Sequence, residues 1–147
     1  MSATLLATVA RTTVPRTALR RILALDAVVT TGNGLAYAAF SAPLGRLLGV
    51  GATTLFELGL FLTAYGAGVG WLASRRRPAA FPVRFVIEAN CAWTVLSLVS
   101  LFAWFSPTTA GAVWIPAQAL TVASFALLQH LALRSAGSGE GAGSGTE

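Results

Sequence analysis

The sequence predicts an all-α integral membrane protein, an up-down-up-down bundle of four helices. Of its 147 residues, 55% are hydrophobic and 10% are charged. An ordinary soluble domain spends about 25% of its residues on Asp, Glu, Lys and Arg. The mean hydropathy of the chain is +0.71. Its apolar residues also gather into runs of roughly 20, the length that a helix needs to cross the hydrocarbon core of a bilayer.

The apolar runs cover four segments: 22–40, 53–73, 83–105 and 111–133. Short separators rich in Gly, Pro and Ser, "SAPLGRLLGVGA", "SRRRPAAFP" and "SPTTAG", divide them. Because such short connections join neighbouring helices, consecutive spans are predicted to be antiparallel. Residues 1–21 form a basic N-terminal segment, and the Gly/Ser-rich residues 135–147 are predicted to be a disordered tail.

Arginine predicts the orientation of the spans. All ten basic residues are Arg, and nine of them lie before the first span, between the second and third spans, or after the fourth. Only Arg46 falls on the other side. The positive-inside rule therefore predicts that both termini are cytoplasmic. A cleavable signal peptide is the alternative for the first run, because it has a twin arginine and small residues near Ala38, but Asp26 interrupts its apolar centre.

Composition argues against several classes of function. The net charge of +5 comes from span flanks and loops rather than from a basic face, so no nucleic-acid partner is expected. The chain has no Lys for a Schiff base, a single Cys91 and a single His130. We therefore predict no cofactor, no metal site and no catalytic residues. Enzymatic activity is disfavoured, since Cys91 and His130, the one candidate pair of nucleophile and base, lie on different predicted helices.

Each predicted span carries polar or aromatic residues along one face. In the first span, Asp26, Thr30, Asn33 and Tyr37 follow the spacing i, i+4, i+7, i+11 of a single helix face. Unsatisfied polar groups in lipid cost several kcal/mol, so these faces should converge inside the bundle. The residues predicted to bind a ligand there are Asp26, Asn33, Tyr37, Glu57, Tyr65, Asn90, Trp93 and Gln118.

The carboxylates and the end of the fourth span allow a structural interpretation as well. Asp26 and Glu88 lie near arginines at one membrane boundary and Glu57 lies on the side of Arg46, so each can form an interfacial ion pair. Gln129 and His130 are interpreted as a helix-end partner and an interfacial anchor rather than as ligands.

One sequence pattern bears on the assembly of the protein. Gly66 and Gly70 form a GxxxG pattern, which packs helices closely either within one chain or between two, and a homodimer or a larger membrane complex is expected.

"LDA" in the first span, "NCAW" in the third and Gln in the last resemble small four-span bacterial inner-membrane proteins of no assigned activity. That resemblance covers residues 20–134 and implies a fold rather than a function. The predicted location is the bacterial inner (plasma) membrane. The size is also similar to that of the small multidrug resistance transporters, although here the first-span carboxylate is Asp26, near one end.

Two functions are compatible with this pattern. In the first, the bundle binds or transports a small cationic or amphiphilic solute in a polar intramembrane cavity, with proton coupling through a carboxylate. In the second, the polar faces only join helices, and the protein is an accessory subunit of a larger complex with no ligand of its own.

Overall fold

The computed structural model describes the backbone of residues 2–141 and the side chains of residues 15–138. Its elements are five helices: α1 (Ser2–Ala39), α2 (Ser41–Leu48), α3 (Ala52–Ser74), α4 (Ala80–Ala103) and α5 (Thr109–Gly141). Four segments are long and apolar enough to cross a bilayer, namely Pro15–Ala39, Ala52–Ser74, Ala80–Ala103 and Thr109–Ser138. The chain is therefore an all-helical, multi-pass membrane protein.

Helix α2 differs from the sequence prediction, because the separator that contains it has Pro43 and three glycines, a composition that favours a loop. Pro43 lies in the first turn of α2, where a missing N–H costs nothing. Gly45 and Leu48 are buried, and Gly49 ends the helix in the left-handed conformation with a φ of 73°. The short helix thus covers one end of the bundle, which we call the α2 end.

The terminal helices are longer than the predicted spans. Helix α1 begins at Ser2, so the basic N-terminal segment continues into the first span without a break. Helix α5 extends to Gly141, so residues 135–141, which were expected to be disordered, are helical. Residues 142–147 of the predicted tail lie outside the described part of the chain.

Small residues allow α1 and α3 to pack with their backbones close together. A Cβ atom added at Gly34 would lie 2.6 Å from the backbone nitrogen of Thr63, and one added at Gly66 would lie 2.9 Å from that of Thr31. Gly70 faces the Cβ atom of Ala27 at an ordinary contact distance. The GxxxG pattern of α3 is therefore used inside the chain, which removes it as support for a homodimer.

The four long helices are packed unequally. Helix α1 packs against both α3 and α5, and α4 packs against α5, whereas α3 and α4 approach each other at only a few residues. At the end that holds the arginines of 16–21 and 75–77, which we call the arginine end, Leu19, Leu23 and Val83 form a buried apolar cluster. A second cluster of Leu48, Val50 and Leu55 lies at the α2 end. Between the two clusters, α3 and α4 leave space inside the bundle.

We predict that Gly66→Ala destabilises the protein, because the new methyl group meets both the side-chain hydroxyl and the backbone nitrogen of Thr31 on α1. Overpacking of this kind costs about 1–3 kcal/mol. Gly68→Ala is the matched control on the same helix, since a Cβ atom there meets nothing within 4 Å. Thermal unfolding in detergent should give a lower Tm for Gly66→Ala and an unchanged or slightly higher Tm for Gly68→Ala. Equal Tm values for the two variants would contradict the close packing of α1 and α3.

Candidate functional site

A fully buried carboxylate lies at the centre of the first polar network. Asp26 on α1 is 0% exposed. Its Oδ1 accepts a hydrogen bond from Thr30 Oγ1 at 3.0 Å, and its Oδ2 accepts from Asn90 Nδ2 at 2.8 Å and from Gln129 Nε2 at 2.7 Å. Asn90 also donates to Gln129 Oε1 at 3.2 Å. Three uncharged donors thus satisfy the carboxylate and join α1, α4 and α5.

Tyr65 connects this network to α3, the remaining long helix. Its hydroxyl is 3.1 Å from Asn90 Oδ1 and 3.3 Å from the carbonyl oxygen of Val86, and it can donate to either. Every described buried side-chain N or O atom has a hydrogen-bond partner. The polar faces predicted from the sequence therefore meet inside the bundle, as the cost of unsatisfied groups in lipid requires.

Asp26 does not form the ion pair with Arg20 that the sequence allowed. Arg20, one of the arginines considered as its partner, donates instead from Nε to the carbonyl oxygen of Ala73, 3.2 Å away. That contact satisfies one of the free carbonyl groups at the end of α3. The three donors on Asp26 are all uncharged side chains, so the carboxylate is held by hydrogen bonds rather than by a described cation.

A second polar network lies nearer the α2 end, between α1 and α5. The Tyr37 hydroxyl accepts a hydrogen bond from Trp114 Nε1 at 2.7 Å and one from Gln118 Nε2 at 3.4 Å. Asn33 Nδ2 donates to Gln118 Oε1 at 3.1 Å. Among the described side chains, the Tyr37 hydroxyl donates its hydrogen to no partner, and the side-chain oxygen of Asn33 accepts from none. These two groups keep hydrogen-bonding capacity for a further molecule.

A cavity of about 530 Å³ lies between the two networks and the α2 end. Its volume is within the range of about 300–1,000 Å³ that is typical of small-molecule sites. Most of its walls are aliphatic or aromatic. Its polar lining side chains are Thr30, Asn33, Tyr37, Thr54, Tyr65, Asn90, Trp93, Ser97, Ser100, Trp104, Trp114 and Gln118.

The lining of this cavity is uncharged. No Asp, Glu, Arg, Lys or His is among the described residues that line it. Asp26 lies behind Thr30 and Asn90 rather than at the cavity surface. A cation in this cavity would therefore contact no carboxylate, because the side chains of Thr30 and Asn90 lie between it and Asp26.

The structure brings most of the predicted ligand-binding residues together, but not all of them. Six line the cavity, and these are Asn33, Tyr37, Tyr65, Asn90, Trp93 and Gln118. Asp26 contacts one of them, Asn90, and is hidden from the cavity. Glu57 is exposed on α3 and lies outside the lining.

Gln129 is a central residue that the sequence analysis underrated. It is 0% exposed and donates the shortest of the three bonds to Asp26, whereas the sequence pattern placed it on the polar face of the fourth span and favoured a helix-end partner over a ligand. The signal for it was present, because Gln118 and Gln129 are three helical turns apart on one face of α5. What periodicity did not reveal was its depth, since α5 continues well beyond the predicted end of the span.

Aromatic rings form the part of the cavity wall between α3 and α4. The ring of Phe61 is stacked on that of Trp93, with centroids 6.1 Å apart and an interplanar angle of 17°. Phe61 also stacks on Tyr65 with centroids 6.2 Å apart. Such ring pairs contribute about 0.5–1.5 kcal/mol beyond their burial. The Phe61–Trp93 pair joins α3 to α4, whereas Phe61 and Tyr65 are both on α3.

Cys91 and His130 do not take part in this site. Both are exposed, and neither is among the cavity-lining residues. His130 instead borders a separate cleft between α4 and α5 together with Arg84, Glu88 and Arg134. Within the described residues, no three His, Cys, Asp or Glu side chains are grouped so that they could hold a metal ion.

Comparison of the chain with protein-family models, with curated proteins and with solved structures gave no match. The resemblance to small four-span bacterial proteins is therefore an expectation from the sequence alone.

We predict that Gln129→Met lowers the stability of the bundle by about 1–3 kcal/mol, the usual cost of leaving a buried polar group without its partner. Methionine keeps the length of the side chain but cannot donate to Asp26. Glu57→Gln is the control, because an exposed substitution changes stability by less than about 0.5 kcal/mol. Denaturant or thermal unfolding in detergent measures both variants. A Gln129→Met protein as stable as Glu57→Gln would show that the Asp26 network contributes little.

Proposed function

We propose that this protein binds a small, uncharged amphiphilic molecule within the membrane. The observation that carries the proposal is the cavity of about 530 Å³, whose walls are apolar and aromatic and whose polar groups are all uncharged. A site of this kind buries a hydrocarbon part against the walls and fixes a polar part through a few hydrogen bonds.

The uncharged lining favours an amphiphilic solute over a cationic one. Aromatic rings such as that of Trp93 can attract a cation, but the cavity offers no carboxylate to balance its charge. Moving an unpaired charge away from water is costly, whereas a hydroxyl or carbonyl needs only a hydrogen-bond partner. The Tyr37 hydroxyl hydrogen and the Asn33 side-chain oxygen supply one donor and one acceptor for such a group.

We propose an up-down-up-down arrangement of the four spans in the bacterial plasma membrane, with both termini in the cytoplasm. Nine of the ten arginines support this orientation through the positive-inside rule. The loop between α4 and α5 then lies on the outer side of the membrane.

Residue 108 should therefore lie in the periplasm. Alkaline phosphatase fused there should be active, because it folds only in the periplasm, and green fluorescent protein fused there should not fluoresce, because it fluoresces only in the cytoplasm. Alkaline phosphatase and green fluorescent protein fusions at that residue and at residue 77 provide the pair of measurements, since residue 77 should behave in the opposite way. A cytoplasmic signal from the fusion at 108 would overturn the proposed orientation.

The accessory-subunit function remains the competing proposal, and one observation favours it. All described buried side-chain polar atoms already have partners within the chain, as expected if the polar faces only join helices. A homodimer or a place in a larger complex belongs to this alternative too, and cross-linking in native membranes would detect either.

Ligand-induced thermal stabilisation in nanodiscs separates the two functions. The panel contains neutral single-chain amphiphiles such as monolaurin and dodecanol, together with dodecyltrimethylammonium and laurate as charged counterparts. We expect the neutral compounds to raise the Tm of the wild-type protein more than either charged compound does. Tyr37→Phe should weaken neutral binding by about three- to tenfold, the effect of losing one hydrogen bond.

Glu57→Gln is the control in this experiment, because Glu57 lies outside the cavity and its substitution should leave binding unchanged. If no compound stabilises the wild-type protein, and Asn33→Leu is as stable as the wild type or more so, the cavity is not a ligand site. The accessory-subunit function then takes its place.

A further inference from the structure

Packed side chains cover the bundle at both ends of the cavity. At the α2 end, the cluster of Leu48, Val50 and Leu55 packs with Tyr37 and Phe105. A backbone hydrogen bond of 3.3 Å from Thr108 to Leu48 ties α2 to the start of α5. These contacts pack α2 against the end of the bundle.

The arginine end is closed by polar and apolar layers in turn. The Asp26 network lies across the bundle, and Asp26 and Gln129 are both 0% exposed. Beyond it, Leu23 and Val83 are also 0% exposed and belong to the larger apolar cluster. A solute from the water on this side would have to disrupt four hydrogen bonds and a close-packed core.

The side between α3 and α4 is different, because side chains rather than packed backbones bridge it. Helices α1 and α3 touch through glycines, but α3 and α4 approach at only a few residues. At mid-height, the stacked rings of Phe61 and Trp93 fill the gap, and Phe61 is 56% exposed on the protein surface that faces lipid. Nearer the α2 end, Leu58 on α3 and Leu96 on α4 line the cavity from opposite sides.

Contacts between side chains such as Phe61 and Trp93 separate far more easily than two closely packed helices do. Partly exposed side chains change rotamer in picoseconds to nanoseconds, whereas separating packed helices is a slow collective motion. The α3–α4 side is thus the side of the cavity where a small displacement of Phe61 widens the passage to the hydrocarbon core.

We propose that the gap between α3 and α4 is a lateral portal through which the ligand passes directly between bilayer and cavity, with Phe61 and Trp93 as its gate. This inference rests on the proposed function and specifies its ligand as a bilayer-dissolved, neutral amphiphile with a single hydrocarbon chain. A charged head group would pay a large desolvation cost on this route, whereas a hydroxyl or ester group pays far less. The hydrocarbon chain lies against Val122 and Phe125, and the polar end reaches Tyr37 and Asn33.

Cross-linking the two sides of the portal tests the route separately from the binding. The protein is Leu58→Cys with Leu96→Cys in a Cys91→Ala background, reconstituted in nanodiscs and bridged by a bifunctional, reducible methanethiosulfonate reagent. Cys91 is exposed and outside the cavity, so its replacement does not affect the site. The probe is tritiated monolaurin, loaded either before or after cross-linking.

We expect the bridge to slow both release of preloaded probe and uptake of later probe by at least about tenfold, and reduction to restore both rates. Each single-cysteine variant, treated with the same reagent, is the matched control for modification without bridging. Phe61→Ala tests the gate without any cross-link and should speed probe exchange several-fold.

Three results are distinguishable. Slower exchange with the bridge and faster exchange in Phe61→Ala support the portal. Unchanged exchange in both cases, with binding intact, shows that the ligand uses another route and leaves the proposed function standing. No saturable binding of monolaurin to the wild-type protein or to the uncross-linked variant overturns the proposed function and the portal together.

Discussion

The absence of water from the bilayer core is the constraint on which the rest of this structure depends. A carboxylate there must find its hydrogen-bond donors within the protein. Asp26 finds them on its own helix and on two others, through Thr30, Asn90 and Gln129. The network therefore fixes how α1, α4 and α5 rotate about their axes, because any other rotation would turn one of these polar groups towards lipid. Tyr65 extends the same restraint to α3 through Asn90.

Packing of the apolar surfaces then decides where space remains. Glycines bring the backbones of α1 and α3 close together, since no Cβ atoms keep them apart. With α3 held against α1 and α4 held against α5, the remaining pair of neighbours is not in close contact along its length. Aromatic rings with adjustable rotamers bridge that pair. The cavity and its side-chain closure are thus consequences of uneven helix packing.

The distribution of charge gives the site its chemical character. The carboxylate that first suggests cation binding lies behind the cavity wall, already satisfied by hydrogen bonds, and Glu57 lies on the outer surface of α3. The groups that meet the cavity are amides, hydroxyls and aromatic rings. Such a lining provides orientation through hydrogen bonds and affinity through apolar contact, which suits a molecule that already resides in the membrane.

Composition and helical periodicity by themselves determined the membrane class, the four apolar segments and the residues of the polar faces, because these properties depend on local sequence. Six of the eight predicted ligand-binding residues meet at the cavity for the same reason: a polar stripe on a membrane helix must face the interior. Only the tertiary structure decided the depth of each residue and the pairing of the helices. Periodicity gives a direction around a helix axis but no distance to a neighbour, so it could not place Gln129 on Asp26 or Asp26 behind Asn90. Nor could it show that the glycines of α3 are used within the chain, since a close-packing pattern has the same sequence whether its partner is in the same chain or in another.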